Sequence, residues 1–473
     1  MAAWPQPSPA HERAGEASER WLAGDHHIHS RFSVGWNDKT DPPTPIRGAD
    51  AIYPIPMNAI MARRFGLSWM VATDHGGPNH SKISRDQAYP ELVHSRQAVP
   101  EVIQFFGMEL NSPGADHSSV IIPHSHDEAE HLHDIEHLFD KNEAHPRDPA
   151  RDDEKRMIAA LEHMNRLVPK PVVIAHHPSR SATDVGVYGL TSPAELRSWN
   201  DAAPEVAVGM EGAPGHQAAA LLRESAGPTI YTNYIGTRRP RGVYRNSPTM
   251  GGFDQMTARL GGFWDSMLGE GRRWWITATS DSHIHWSDGG ADFWPGEYSK
   301  TYVLAEKTPA AILAALRGGK VFVTTGDLIS ELGFTAAAGR NEAGIGGTLA
   351  YARGSDIRVR IRLRDPKVPN AGGKDPTLAR IDLIRGKVTG RAADRTADRN
   401  PTTRVEARFG PGQWRRDGEY IVVDHMLKDM ASAEYVRLRG TNGTELEPGP
   451  DPDGEDPWAD LWFYSNPIFL TQR

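Results

Sequence analysis

The sequence predicts an α/β protein in which a parallel sheet of buried strands covered by helices is followed by an antiparallel β-sandwich. Three observations predict it. Between residues 23 and 325 short, near-continuous apolar runs alternate with helical patterns, as expected of strands buried on both faces. Histidines and carboxylates stand directly after these runs, at the strand ends where α/β barrels place their chemistry. From about residue 332 the texture changes to polar–apolar alternation broken by Gly-, Pro- and Asp-rich loops, which is the pattern of half-buried antiparallel strands.

Residues 1–20 form a polar lead-in, 21–330 the chemistry-bearing unit and 331–473 the sandwich. The first strand ends in Ala23–Ser30, AGDHHIHS, where a period of two puts Asp25, His27 and His29 on one face. A loop rich in turn formers follows, then a helix within Pro54–Gly66 and a buried strand, Ser68–Thr73, that opens onto Asp74 and His75. Pro100–Leu110 gives the strand carrying Glu109, and a shorter run, Val120–Pro123, follows His117. Leu132, Ile135, Leu138 and Phe139 recur at helical spacing within 127–140, and a second helix ends near Leu167.

PVVIAHHP (171–178) is a continuous β-branched run opening onto His176 and His177, and Glu205–Met210 runs into Glu211. Further strands are expected at Thr229–Tyr234, Trp274–Thr279 (before Asp281, His283 and His285), Tyr302–Ala305 and Val321–Thr324, with a helix at 308–319. In the second unit the alternating stretches are Ile357–Leu363, Ala379–Ile384, Arg404–Phe409, Tyr420–Val423 and Tyr435–Arg439.

Composition narrows the function classes. A formal net charge of −8 argues against a general nucleic-acid binder, and the absence of cysteine removes thiolate ligands. A metal must then be held by imidazole and carboxylate, which points to zinc, manganese or iron. No apolar run is long enough to span a membrane and the first twenty residues lack a signal-peptide core, so a cytoplasmic enzyme is the expectation. His-x-His beside a carboxylate can grip a divalent ion, and several such clusters in one chain predict a multinuclear site.

The series D-x-H-x-H, TDH, G-x-E-L, a lone His, A-H-x-P and SD-x-H resembles the polymerase-and-histidinol-phosphatase (PHP) superfamily. The ending LWFYSNPIFL (461–470) resembles its CehA/McbA branch. The resemblance implies a distorted (β/α)7 barrel with two or three divalent metal ions. It implies His27, His29, Glu109 and Asp281 around one ion, Glu109, His117 and His177 around a second, and His75 with His283 at a third. Ser33-Val34-Gly35 stands where many members supply a further ligand, so either Asp38 or Asp41 completes the third site from the loop or only two ions are firmly held.

The activity implied is phosphoester hydrolysis of a small aryl or nucleotide substrate through a hydroxide bridging the ions. A neutral aryl carbamate or carboxylic ester is the alternative substrate. Asp25 and Asp74 are expected to orient ligand imidazoles, and His176 or His285 to protonate the leaving oxygen. Arg31, Arg180, Arg238, Arg239, Arg241 and Arg245 are the candidate phosphate contacts. No stable nucleic-acid partner or membrane is expected, and homo-oligomerisation is left open.

Overall fold

The computed structural model describes residues 18–215, 218, 221, 248–452 and 455–473. The expected strand at Thr229–Tyr234 and the expected contacts Arg238, Arg239, Arg241 and Arg245 lie outside the described residues. The first part supplies β1 (Arg20–Asp25), a small hairpin of β2 (Gly35–Asn37) and β3 (Thr44–Ile46), then β4 (Trp69–Asp74), β5 (Ile103–Asn111) and β6 (His117–Ile122). It continues with β7 (Val172–Ala175), β8 (Ala207–Pro214), β9 (Trp275–Thr279), β10 (Ser299–Ala305) and β11 (Val321–Thr325). These strands lie in the order β11-β10-β1-β4-β5-β6-β7-β8-β9, a mixed sheet with helices between its strands.

The mixture corrects the parallel expectation. Pairs β1/β4, β4/β5, β7/β8 and β8/β9 are parallel, whereas β6 runs antiparallel to both β5 and β7, and β10 antiparallel to β1. The link from Asn111 to His117 is the reason for β6, because a parallel return needs a crossover of a dozen or more residues and this turn is far shorter. Apolar runs report that both faces are buried, not which way the strand runs.

Helices fall at Ile55–Arg64, Glu128–Phe139, Glu154–Arg166, Pro193–Ala202 and Pro309–Gly318, among others. Their starts are chemically marked: Asp153, Ser192 and Thr308 each accept a backbone N–H of the first turn, and Pro follows Ser192 and Thr308 at the first helical position. Gly319 ends the last of them at φ +67°, a left-handed cap that a side chain would strain.

Beyond residue 330 the chain makes β12 (Glu331–Ala338), β13 (Asn341–Gly344), β14 (Thr348–Tyr351), β15 (Ser355–Arg364), β16 (Arg380–Lys387) and β17 (Arg404–Phe409). Then come β18 (Arg415–Asp417), β19 (Tyr420–Met430), β20 (Glu434–Thr441), β21 (Trp462–Ser465) and β22 (Ile468–Gln472). An antiparallel five-stranded sheet, β13-β12-β15-β19-β18, stands by itself. Strict alternation in β15 buries Ile357, Val359, Ile361 and Leu363 against residues of β16, β20 and β22.

The remaining late strands join the first sheet through β21, which pairs antiparallel with β11. Every residue of β20 is buried. Val436 and Leu438 enter the core shared with the second sheet, while Tyr435 and Arg437 turn to the helix Phe263–Gly269, where both bond Asp265. No helix among the described residues is long and apolar enough to cross a membrane.

Candidate metal centre

The ends of β1, β4, β5, β7, β8 and β9 deliver the candidate ligands to one place. Beyond β1 the chain bridges to the segment after β9, with His29 N–H donating to Ser282 O at 2.9 Å. Gly215 is needed here: a Cβ on it would lie 2.1 Å from Ser280 O, and its φ of +76° favours glycine. His177 and Asp281 also sit at positive φ, +23° and +48°, which is strain of the kind that concentrates at functional sites.

Glu109 is the hub. Its Oε1 lies 2.8 Å from His117 Nδ1, 2.9 Å from His176 Nδ1, 3.1 Å from His177 Nε2 and 3.2 Å from His27 Nε2. Its Oε2 lies 3.5 Å from His29 Nε2 and 3.7 Å from His75 Nε2. The two oxygens of one buried carboxylate therefore face two sets of imidazoles, as a carboxylate shared between two ions must. Burial alone would raise the Glu109 pKa, but the charges of His117 and His27 and the hydrogen bonds from His117 and His176 hold it well below the usual carboxylate range.

Outer hydrogen bonds fix which ring nitrogens face inward. His27 Nδ1 donates to Glu211 Oε1 at 2.7 Å. His29 Nδ1 donates to Ser33 Oγ at 2.8 Å, because that hydroxyl's own proton goes to Asp74 Oδ1 at 2.9 Å. His283 Nδ1 donates to the Asp281 carbonyl at 3.0 Å. In all three rings the Nε2 lone pair is left for the interior, the arrangement that outer partners impose on metal-binding histidines.

His27 Nε2 and His29 Nε2 stand 3.0 Å apart, with Asp281 Oδ1 3.0 and 3.2 Å from them. Two acceptor lone pairs and a carboxylate aimed at one point need a cation or a shared proton. The pKa directions say the same: burial and His283 push His29 well down, while Asp281, Glu211 and Glu109 outweigh the burial of His27 and hold it well up. Buried His176 Nε2 and His177 Nδ1 find no hydrogen-bond partner among the described residues. By composition and orientation this donor set fits divalent metal ions, in the groups His27/His29/Asp281, His27/Glu109/His176/His177, Asp116/His117/His177 and His29/Asp50/His75/His283.

No family model matches the chain, and no curated protein matches it. The site is therefore read from its own geometry.

All eight sequence-predicted ligands converge; Glu211 holds the His27 imidazole, and Asp74 acts on His29 only through Ser33. Asp25 braces the backbone, accepting from His27 N–H and Ser280 N–H at 3.0 Å each, and burial raises its pKa to about 7. The placements that differ from expectation are these. Asp38 and Asp41 do not complete the third group: both are exposed, and Asp41 binds His145 at 2.6 Å. Asp50 takes that place, its Oδ2 lying 3.1 Å from His75 Nε2 and 3.4 Å from His283 Nε2.

His176 sits inside the donor set, with Nδ1 2.9 Å from Glu109 Oε1. It is fully buried, its ring stacks on His27 at 3.5 Å, and burial with the His27 charge lowers its pKa to about 4. His285 is held by Ser287 at 2.6 Å and Glu297 at 3.0 Å, stacked on Trp294, outside the ligand groups above. Arg31 is drawn away to Glu91. Arg180 does reach the centre, with Nη1 3.2 Å from His177 Nε2. His26, which no spacing argument singled out, lies buried between Ser119 and Thr277 and packs its ring near His176.

His75 and His117 also line an open cavity of about 410 Å³, which gives the centre its approach from solvent.

Proposed function

We propose that this chain is a divalent-metal-dependent hydrolase of small-molecule phosphoesters, built on the distorted (β/α)7 barrel of the PHP superfamily. The observation that carries the reading is Glu109, whose two oxygens serve six histidines between 2.8 and 3.7 Å. Barrel closure is supported by the seam between β9 and β10. There Thr301 Oγ1 accepts from Ala278 N–H at 2.8 Å and donates to Ala278 O at 2.7 Å.

His27, His29, Asp281 and Glu109 would hold one ion, Glu109, His117, His176 and His177 a second, and Asp50, His75 and His283 a third. Zinc, manganese or iron suits this set. Bound divalent ions supply Lewis-acid polarisation of the ester and a water acidic enough to attack at neutral pH. The protein's part is to hold the donors rigid through Glu211, Ser33 and Asp74, and to place one guanidinium, Arg180, beside the Glu109 group, where it favours an anionic reacting group.

The diversion of Arg31 to Glu91 favours a second reading, hydrolysis of a neutral aryl carbamate or carboxylic ester, which needs fewer cationic contacts. A screen of an aryl phosphate, an aryl phosphodiester and an aryl carbamate, each with zinc, manganese and iron, separates the two. Metal-dependent turnover of a phosphoester that chelation abolishes is the expected result. Preference for the carbamate over every phosphoester overturns the main reading.

A further inference from the structure

The cavity beside the centre is asymmetric in a way the hydrolytic reading does not use. One end is formed by His75 and His117, which contact opposite oxygens of Glu109. The same lining includes Asn111, Trp36, Asn142 and the exposed Arg147. Each of these is prepared differently.

Trp36 sits on the β2/β3 hairpin, half-buried against the apolar core and close over Gly77, where a Cβ would come within 2.9 Å of the indole Nε1. Glycine at 77 is therefore what lets the ring stand in the wall. Asn111 is locked, since its amide donates both protons, to Asp140 at 2.9 Å and to Gly76 O at 3.1 Å, leaving its carbonyl oxygen as an acceptor.

Arg147 is the lining cation and has no ion pair or hydrogen bond among the described residues. Of the acids close to it in sequence or bonded to its neighbours, Asp41 binds His145 at 2.6 Å and Asp148 accepts from Ala150 N–H at 3.0 Å. One cavity lined by two candidate ligands, an indole and an uncommitted guanidinium describes a ligand with three parts.

We propose that this cavity binds the leaving-group half of the substrate, and that this half is an aromatic ring carrying a second, distal anion, with Trp36 contacting the ring and Arg147 the anion. The inference rests on the hydrolytic reading for the direction of the substrate, but not for the recognition itself. Trp36 and Arg147 set specificity and take no part in bond breaking. Arg147 is at the water-exposed rim, so its contact is worth a modest factor, about five- to tenfold in affinity.

Calorimetric titration of the metal-loaded protein with two probe pairs tests this: phenylphosphonate against 4-carboxyphenylphosphonate, and benzoate against terephthalate. None of the four is hydrolysed, so binding is measured apart from turnover. The expected result is that the distal carboxylate tightens binding about five- to tenfold in each pair. Arg147→Ala should reduce that advantage to within twofold while leaving the parent probe unchanged, and Trp36→Ala should weaken all four.

If the carboxylate advantage is absent in the wild type, persists in Arg147→Ala, or if no probe binds at all, the proposal is overturned. Should the benzoate pair behave as expected while no phosphoester is turned over, the hydrolase reading fails and the recognition stands.

Discussion

Replacing Glu109 by Gln keeps the shape of the hub and removes its charge. The amide has one oxygen where the carboxylate has two, so either the set at His117, His176, His177 and His27 or the set at His29 and His75 meets an NH2 group instead. Disturbing even an outer partner of a metal ligand typically weakens binding by about 10- to 100-fold. A shared inner carboxylate should reach at least the upper figure at both linked sites. Each ion then loses about 2.7 kcal/mol of binding, and at saturating metal the metal-linked gain in folding stability falls by about the same amount per ion.

Turnover should drop by at least about a thousandfold, because the lost charge acts on both the nucleophile and the transition state. The assay has three readings: metal content by elemental analysis after dialysis, kcat on an aryl phosphate, and the rise in Tm on adding metal. Two retained ions per chain, with turnover within about tenfold of wild type and an unchanged metal-dependent rise in Tm, would refute the assignment of Glu109 as the shared ligand.

Asp50→Asn should cost about one ion per chain and roughly 10- to 100-fold in turnover, whereas Asp38→Asn and Asp41→Asn should leave metal content as it was. Equal loss in all three variants would return the third group to the loop. The buried His80 imidazole is worked against by burial, but Glu136 at 2.5 Å and the Phe32 carbonyl outweigh it and raise its pKa from 6.5 to about 9. A raised pKa stabilises the fold below about pH 6.5, and the contribution is lost as pH climbs through 9, about 3 kcal/mol in all. Urea unfolding at pH 6, 8 and 10 should show this fall in wild type and a flatter profile in His80→Gln; identical profiles would remove His80 from the account. Asp265→Ala strands the Arg437 guanidinium, which Asp265 binds at 2.7 and 2.8 Å in full burial, and should destabilise by about 3–5 kcal/mol. Glu101→Ala, at an exposed ion pair with Arg63, is the control and should change stability by less than about 1 kcal/mol.

What was legible in the sequence followed from how each residue's signal is written. His27, His29, His75, Glu109, His177 and Asp281 each close a run that must be a buried strand, so their convergence could be read from pattern alone. Asp50 closes nothing. It lies in the turn-rich stretch before the helix Ile55–Arg64, and only the folded path brings it to His75 and His283. Asp38 and Asp41 were nearer in sequence to the first motif, which is a poor guide in a loop.

The place of His176 beside Glu109 was hidden for a related reason. Adjacent histidines on a strand end point to opposite faces in ideal geometry, but the positive φ at His177 turns both rings onto Glu109. Ser33 shows the reverse case. It stands where an expected ligand is missing, and it orients His29 instead of joining the metal set.

The sheet that runs from β9 round to β22 also sets an order of events during synthesis. Every candidate ligand has been made by residue 283, but the strand delivering Asp281 is finished by groups made much later. Asn466 Oδ1 accepts the Ile276 N–H at 3.0 Å, and its own N–H donates to Val321 O at 3.1 Å. Until residues 462–472 emerge, β11 and β20 are raw strand edges open to pairing with other chains. An ion arriving during translation therefore meets donors that are present but not yet fixed, and the centre is an assembly that the last strands complete.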